Sequence, residues 1–144
     1  MLATLLALIA CALFAGAALY VTLAEHPARL RLAEGPALAQ WRQSYARAAP
    51  LQAGLALLSC GLGLWAWWRM GTSWLLAGAL LIGAAIPFTL LVIFPTNRRL
   101  KAGSTEDAGS ATRALLIRWG RLHAMRTLLG LAAVAAYLAA FVRP

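Results

Sequence analysis

Long apolar runs along the chain are interrupted by three polar connections. The runs cover roughly Leu2–Ala24, Leu51–Trp68, Trp74–Phe94 and Ala114–Val142. Each falls near the ~20 residues that carry a helix across a hydrocarbon core at 1.5 Å per residue. A helix bonds its own backbone groups, which lipid requires of any spanning segment. The pattern therefore predicts an all-α protein in which four transmembrane helices form one antiparallel bundle domain over residues 1–144. The fourth run is longer than a span needs, and its first turns carry Arg118 and Arg121, so that helix starts outside the bilayer. The connections are Glu25–Pro50, a tight turn at Arg69–Ser73, and a polar loop at Thr96–Arg113. Within the first connection, Leu38, Trp41, Tyr45 and Ala48 recur at spacings of three and four. This predicts a short amphipathic helix over about 36–49, lying on the cytoplasmic leaflet as a surface anchor or, alternatively, covering a pocket as a lid.

Composition supports a membrane protein. Apolar residues make up 62% of the 144 and charged residues 12%, against about half and a quarter in soluble domains. The net charge of +9 would suggest nucleic acid in a soluble chain, but its distribution points elsewhere. Arg29, Arg31, Arg42, Arg47, Arg98, Arg99, Lys101, Arg113, Arg118, Arg121 and Arg126 fall on the side of the two long loops. Only Arg69 and Arg143 fall on the other. The positive-inside rule then puts both long loops in the cytoplasm and both termini outside, in what we expect is a bacterial inner membrane. Trp65, Trp67, Trp68 and Trp74 mark the opposite interface. No nucleic-acid partner is expected; the partners are the lipid bilayer and a lipophilic small molecule. The opening run resembles a signal-peptide core, but without a positive n-region it reads as a helix. Gly61, Gly63, Gly78, Gly83 and Gly130 allow close helix packing and would permit self-association into a homo-oligomer. Cys11 and Cys60 make no CxxC pair, which excludes a disulfide framework and a zinc site.

Polar residues within or beside the spans gather at the cytoplasmic end. Glu25 and His26 close the first helix, Gln52 opens the second, Thr89 lies in the third, and Asn97 follows its end. His123 and Arg126 lie two to three turns into the fourth, with Trp119 one turn before His123. Ionisable groups at membrane depth are costly and mark candidate sites. Two histidines on different helices leave three chemistries open. They could ligate a haem, or bind copper or iron with Glu25 or Asn97 completing the shell. Without a cofactor, one histidine could act as general base while Arg126 or Asn97 stabilises the resulting anion.

Four segments carry a family resemblance. They are Gly16-Ala17-Ala18-Leu19-Tyr20 running into Glu25-His26-Pro27-Ala28-Arg29; Trp41 through Tyr45 to Gln52; Pro87-Phe88-Thr89 followed by Pro95-Thr96-Asn97-Arg98-Arg99-Leu100; and Trp119-Gly120-Arg121-Leu122-His123-Ala124-Met125-Arg126. Together they resemble the anthrone oxygenase-like family of small four-helix membrane proteins. The resemblance implies a site at Glu25, His26, Pro27, Asn97, Trp119, His123 and Arg126, and oxidation of an anthrone-like substrate to a quinone. We therefore expect an integral-membrane oxidoreductase acting with oxygen on a lipophilic, phenolic or polycyclic aromatic substrate. His26 or His123 would be base or metal ligand, Asn97 and Arg126 the anion stabilisers, and Glu25 the group that orients the nearer histidine. Trp119, Tyr20, Gln52 and Thr89 would contact substrate. The alternatives are a haem- or copper-binding redox module using His26 and His123, and a non-catalytic membrane scaffold.

Overall fold

The computed structural model describes residues 1–142; Arg143, which entered the charge count, lies outside them. Among the described residues the chain is helical, without strands. Four helices, α1 (Leu2–Arg29), α2 (Glu34–Met70), α3 (Ser73–Ala102) and α4 (Ser110–Val142), are each long and apolar enough to span a membrane. They run alternately up and down in a ring, α1 beside α2 and α4, and α3 beside α2 and α4. Only Gly71 and Thr72 join α2 to α3, and Gly71 takes the left-handed conformation (φ 72°) that ends a helix with little steric cost.

Two helices run further than the apolar pattern predicts. α1 was expected to stop near Ala24 and α3 near Phe94, because Pro27 and Pro95 follow. A proline inside a helix lacks the N–H for the carbonyl four residues back and collides with it. Here that carbonyl belongs to Leu23 and Leu91, and each sits in a π-helical turn, Val21–Glu25 and Thr89–Ile93. The wider turn absorbs the proline, and the helix continues for two residues beyond Pro27 and seven beyond Pro95. The two devices match in register: each proline is the second residue after its π turn, and Arg29 and Asn97 each stand two residues after it.

The expected separate interfacial helix over 36–49 requires correction. Residues 34–70 form one continuous helix through Pro50. The apolar face of its first half does not rest on headgroups. Leu38 and Trp41 are fully buried in a core with Val21, Ile93, Leu100, Leu116 and Trp119. Interhelical packing therefore captures the stripe that suggested a surface anchor, and the segment becomes a wall of the bundle.

Arginines close the loop end. The Arg42 guanidinium donates to the Leu100 carbonyl (3.1 Å), the Lys101 carbonyl (3.0 Å) and the Gly103 carbonyl, all at the end of α3. Arg113 donates to Leu30 O (2.7 Å), Leu32 O (2.8 Å) and the Glu34 carboxylate (2.7 Å), joining the end of α1 to the start of α2. Both satisfy carbonyls that a helix terminus leaves without partners.

The opposite half is held by small-residue packing. Tyr137 of α4 is fully buried, and its hydroxyl donates to the Ser59 carbonyl at 3.0 Å. Its ring occupies a notch that exists because Gly63 and Gly78 lack side chains; a Cβ at either would collide with it. Gly83 and Gly130 are likewise closely approached, by Cys60 and Phe14, whereas Gly61 has open space around it. Gly63→Ala should thus lower thermal stability in detergent, by about 1–3 kcal/mol as overpacking usually costs. Combining it with Tyr137→Leu, which removes the ring end, should restore part of the loss relative to the sum of the two single effects.

Candidate functional site

Two apolar cores stack along the bundle. One contains Ala7, Cys11, Phe14, Ile82 and Tyr137, and the other Leu38, Trp41, Leu100 and Trp119. Between them lies a layer of polar side chains and a cavity of about 230 Å³. Its walls are Phe14, Ala56, Ala85, Ile93 and the aromatic faces of Trp41 and Trp119. Polar groups on it come from Arg29, Tyr45, Gln52, Asn97, His123 and Arg126. All four helices contribute.

His123 is buried and held at both ring nitrogens. Nε2 lies 3.2 Å from Arg126 Nη2, and Nδ1 lies 3.2 Å from Thr22 Oγ1. A guanidinium only donates, so Nε2 must be the acceptor and Nδ1 carries the proton. Thr22 Oγ1 accepts from Nδ1–H and donates to Ala18 O at 2.9 Å; Thr127 Oγ1 lies 2.9 Å away. His123 is thus a neutral imidazole with its Nε2 lone pair facing the guanidinium. Arg126 also donates to Gln52 Oε1, its Cζ lies 5.6 Å from the Phe14 ring centre, and its buried Nε has no partner.

His26 stands behind the cavity wall, not on it. It is buried, and its Nδ1 accepts from Arg29 Nη1 at 3.1 Å, leaving Nε2 as the protonated nitrogen. That N–H is buried without a partner against the backbone of α4, where Gly120 leaves room for the ring. Arg29, 2% exposed, donates to Glu25 Oε1 at 2.5 Å and to Gln40 Oε1, while Gln40 Nε2 donates to the same Glu25 oxygen at 3.1 Å. Glu25 therefore acts on His26 at one remove, through Arg29, and does not neutralise Arg126. An aromatic column ties the layer together. Trp119 lies 5.3 Å from His26 and 4.8 Å from His123 between ring centres, and meets Trp41 edge-on at 5.9 Å. Trp41 stacks on Tyr45 at 5.0 Å, and the Tyr45 hydroxyl accepts from Asn97 Nδ2 at 3.0 Å. Asn97 Oδ1 and both indole N–H groups, of Trp41 and Trp119, are buried without partners.

The structure thus brings Gln52, Thr89, Asn97, Trp119, His123 and Arg126 to one cavity, with Glu25 and His26 in the layer supporting it. Thr89 contributes to the wall, its hydroxyl donating to Ala85 O at 2.7 Å. Tyr20 does not join them: it is 63% exposed on the outer surface of α1. Arg29, Trp41, Tyr45, Gln40, Thr22 and Thr127 were not singled out from the sequence as site residues. Arg29 was legible in principle, because it lies three residues from His26 and four from Glu25 on one helical face. Reading the helix as ending before Pro27 concealed that spacing.

The donor set does not suit a metal shared by the two histidines. Their lone pairs, on His26 Nδ1 and His123 Nε2, are both directed at guanidinium groups. Among the described residues no group of three His, Cys, Asp or Glu side chains could hold a metal ion.

A family model described as anthrone oxygenase matches residues 41–136. The chain belongs to the anthrone oxygenase family. The matched residues run from Trp41 in α2 to Ala136 in α4, so Gln52, Thr89, Asn97, Trp119, His123 and Arg126 all fall inside the family region. Tyr20, Glu25, His26 and Arg29 precede it. No curated protein and no solved structure matches the chain.

The ion pair beneath the cavity has a measurable consequence. Removing one partner of a buried pair strands the other and costs about 3–5 kcal/mol. Glu25→Ala should lower stability by about 3 kcal/mol, toward the small end of that range because the carboxylate side chain is 19% exposed. Glu25→Ala with Arg29→Met should recover much of that loss in thermal unfolding.

Proposed function

We propose that this protein is an integral-membrane oxygenase of lipophilic aromatic substrates, of the anthrone type, working without a metal. The observation that carries the reading is a largely apolar cavity whose polar groups include a neutral imidazole, His123, beside a guanidinium, Arg126, that has no carboxylate partner among the described residues. A cavity of about 150 Å³ takes a single benzene ring, so about 230 Å³ suits a larger planar arene. Trp41 and Trp119 supply flat walls for it.

The chemistry suits that pair of groups. An anthrone carries a methylene whose proton is acidic because the resulting anion spreads onto the carbonyl oxygen. Arg126 turns from His123 to this oxygen as negative charge develops, and so frees the His123 Nε2 lone pair to accept the proton. Thr22 fixes the ring through Nδ1–H, keeping the basic nitrogen toward the substrate. Asn97 Oδ1 accepts a bond from a substrate hydroxyl. The anion passes one electron to oxygen, and the resulting radical pair combines to form a C–O bond. Imidazolium returns its proton to give a hydroperoxide, which loses water to leave the new carbonyl. In balance, one methylene and one O₂ become one carbonyl and one water.

Oxygen uptake by purified protein with anthrone tests this, measured against empty micelles to subtract autoxidation. His123→Ala should lower the rate by about 100-fold or more, the usual size of a general-base contribution. Arg126→Gln should lower it by about 100-fold through lost stabilisation of the oxyanion. Folded variants with undiminished turnover would overturn the assignment.

We also place the Gly103–Gly109 loop in the cytoplasm and both termini in the periplasm of a bacterial inner membrane, because the unpaired arginines cluster at that loop end. In right-side-out spheroplasts, Thr72→Cys should react with a membrane-impermeant maleimide. Ser104→Cys should react only after lysis; the reverse pattern would invert the topology.

A further inference from the structure

Arg126 has no counter-ion among the described residues. The two ion pairs among the described residues are Arg29–Glu25 and Arg113–Glu34. The groups around Arg126 are His123 on its own helix, Gln52 and Tyr45 on α2, Phe14 and Arg29 on α1, and Asn97 across the cavity on α3. Of these only Arg29 is formally charged, and it is also a cation, already matched by Glu25. A positive charge in an apolar bundle is costly when unmatched. Its Nε–H is buried and unbonded as well. The cavity wall therefore presents a cation whose electrostatic partner none of the described residues provides.

The mouth of the cavity adds a second constraint. α2 and α3 pack together over the half nearest Gly71 and part toward the π turn at Thr89–Ile93. In that gap the cavity wall includes Ala53 on one side and Leu90 and Phe94 on the other, all exposed on the outer surface of the bundle. The route to Arg126 is thus apolar and faces the region where lipid would lie. A permanently charged molecule would not follow it. A neutral acid would.

We infer that Arg126 is an anion socket, and that the ligands of this site are lipid-soluble planar arenes bearing a weakly acidic phenol or enol. They enter neutral between α2 and α3 and are held as oxyanions; a phenolic ligand releases its proton to the aqueous phase, while the methylene proton of a substrate passes to His123. This deepens the oxygenase reading, from which the arene comes. For a substrate the bound oxyanion is the oxygen-reactive species itself, so acidity as well as shape sets the range of molecules accepted. In solution the anion forms only above the ligand's own pKa. Apparent affinity should consequently rise with pH up to that pKa and level off above it.

The test uses binding alone, so that it stands or falls separately from turnover. The probe is 2-hydroxyanthraquinone, whose visible band moves to the red on ionisation, with unsubstituted anthraquinone as the isosteric control. At a pH below the probe's pKa, wild-type protein should bind it with the spectrum of the ionised form, while empty micelles leave it neutral. The hydroxylated probe should bind about tenfold or more tightly than the control, the range expected for a charged hydrogen bond. Arg126→Met should abolish the red shift and the preference, while Arg126→Lys, which keeps a cation, should retain part of both. Should Arg126→Met not fold, the wild-type spectrum and the comparison with anthraquinone decide alone. A bound probe with a neutral spectrum, or equal affinity for both compounds, overturns the socket. An ionised bound probe in a protein that consumes no oxygen keeps the socket and removes the oxygenase.

Discussion

A helix crossing hydrocarbon has to bond its own backbone groups, and the polar layer of this bundle depends on how Pro27 and Pro95 disturb that rule. Each proline removes a donor from a helix that nevertheless continues. The π-helical turns at Val21–Glu25 and Thr89–Ile93 take up the disturbance by widening before the proline rather than breaking. Extending α1 past Pro27 brings Arg29 into the core, and extending α3 past Pro95 does the same for Asn97. Without these continuations, the ends of α1 and α3 would leave the polar layer without its Arg29–Glu25 pair and its Asn97–Tyr45 bond.

The polar layer has its own internal logic. Two neutral histidines each accept from an arginine, but the arginines are treated differently. Arg29 is matched by Glu25 and Gln40, and so belongs to the scaffold. Arg126 is met by an amide and an imidazole, neither charged. Trp119 touches both histidine rings and carries the column on to Trp41 and Tyr45. A rigid, neutralised half thus supports a half that retains an unmatched cation. That asymmetry separates support from chemistry in a set of residues whose types alone look equivalent.

Much of this was readable from the chain. Four apolar runs gave four helices, and the positions of Gln52, Asn97, His123 and Arg126 along their helices brought them to a common level, although that level lies between two apolar cores and not at the end of the bundle. The failures share a physical origin: local signals were overridden by tertiary packing. Pro27 and Pro95 are ordinary helix terminators, and nothing local announces that a π turn will accommodate them. The stripe of Leu38, Trp41 and Tyr45 has the same period whether it meets headgroups or a neighbouring helix, and only the position of Trp119 decides. Tyr20 falls on the outer face of α1 because each residue advances about 100° around a helix, a rotation the segment motif did not reveal. His26 is buried, but whether it faces the cavity depends on the gap at Gly120, which is a property of α4.

The arginines of the loop end have a further meaning in time. Before the helices have met, Arg42 and Arg113 are free charges without partners. In the finished bundle the same guanidiniums are ligands for the carbonyls of Leu100, Lys101, Leu30 and Leu32. A charge that begins as an isolated cation in a connection ends as a clamp, Arg42 fastening α2 to the end of α3 and Arg113 fastening α4 to the turn between α1 and α2. Charge and closure are then written in one side chain, read at two stages of folding.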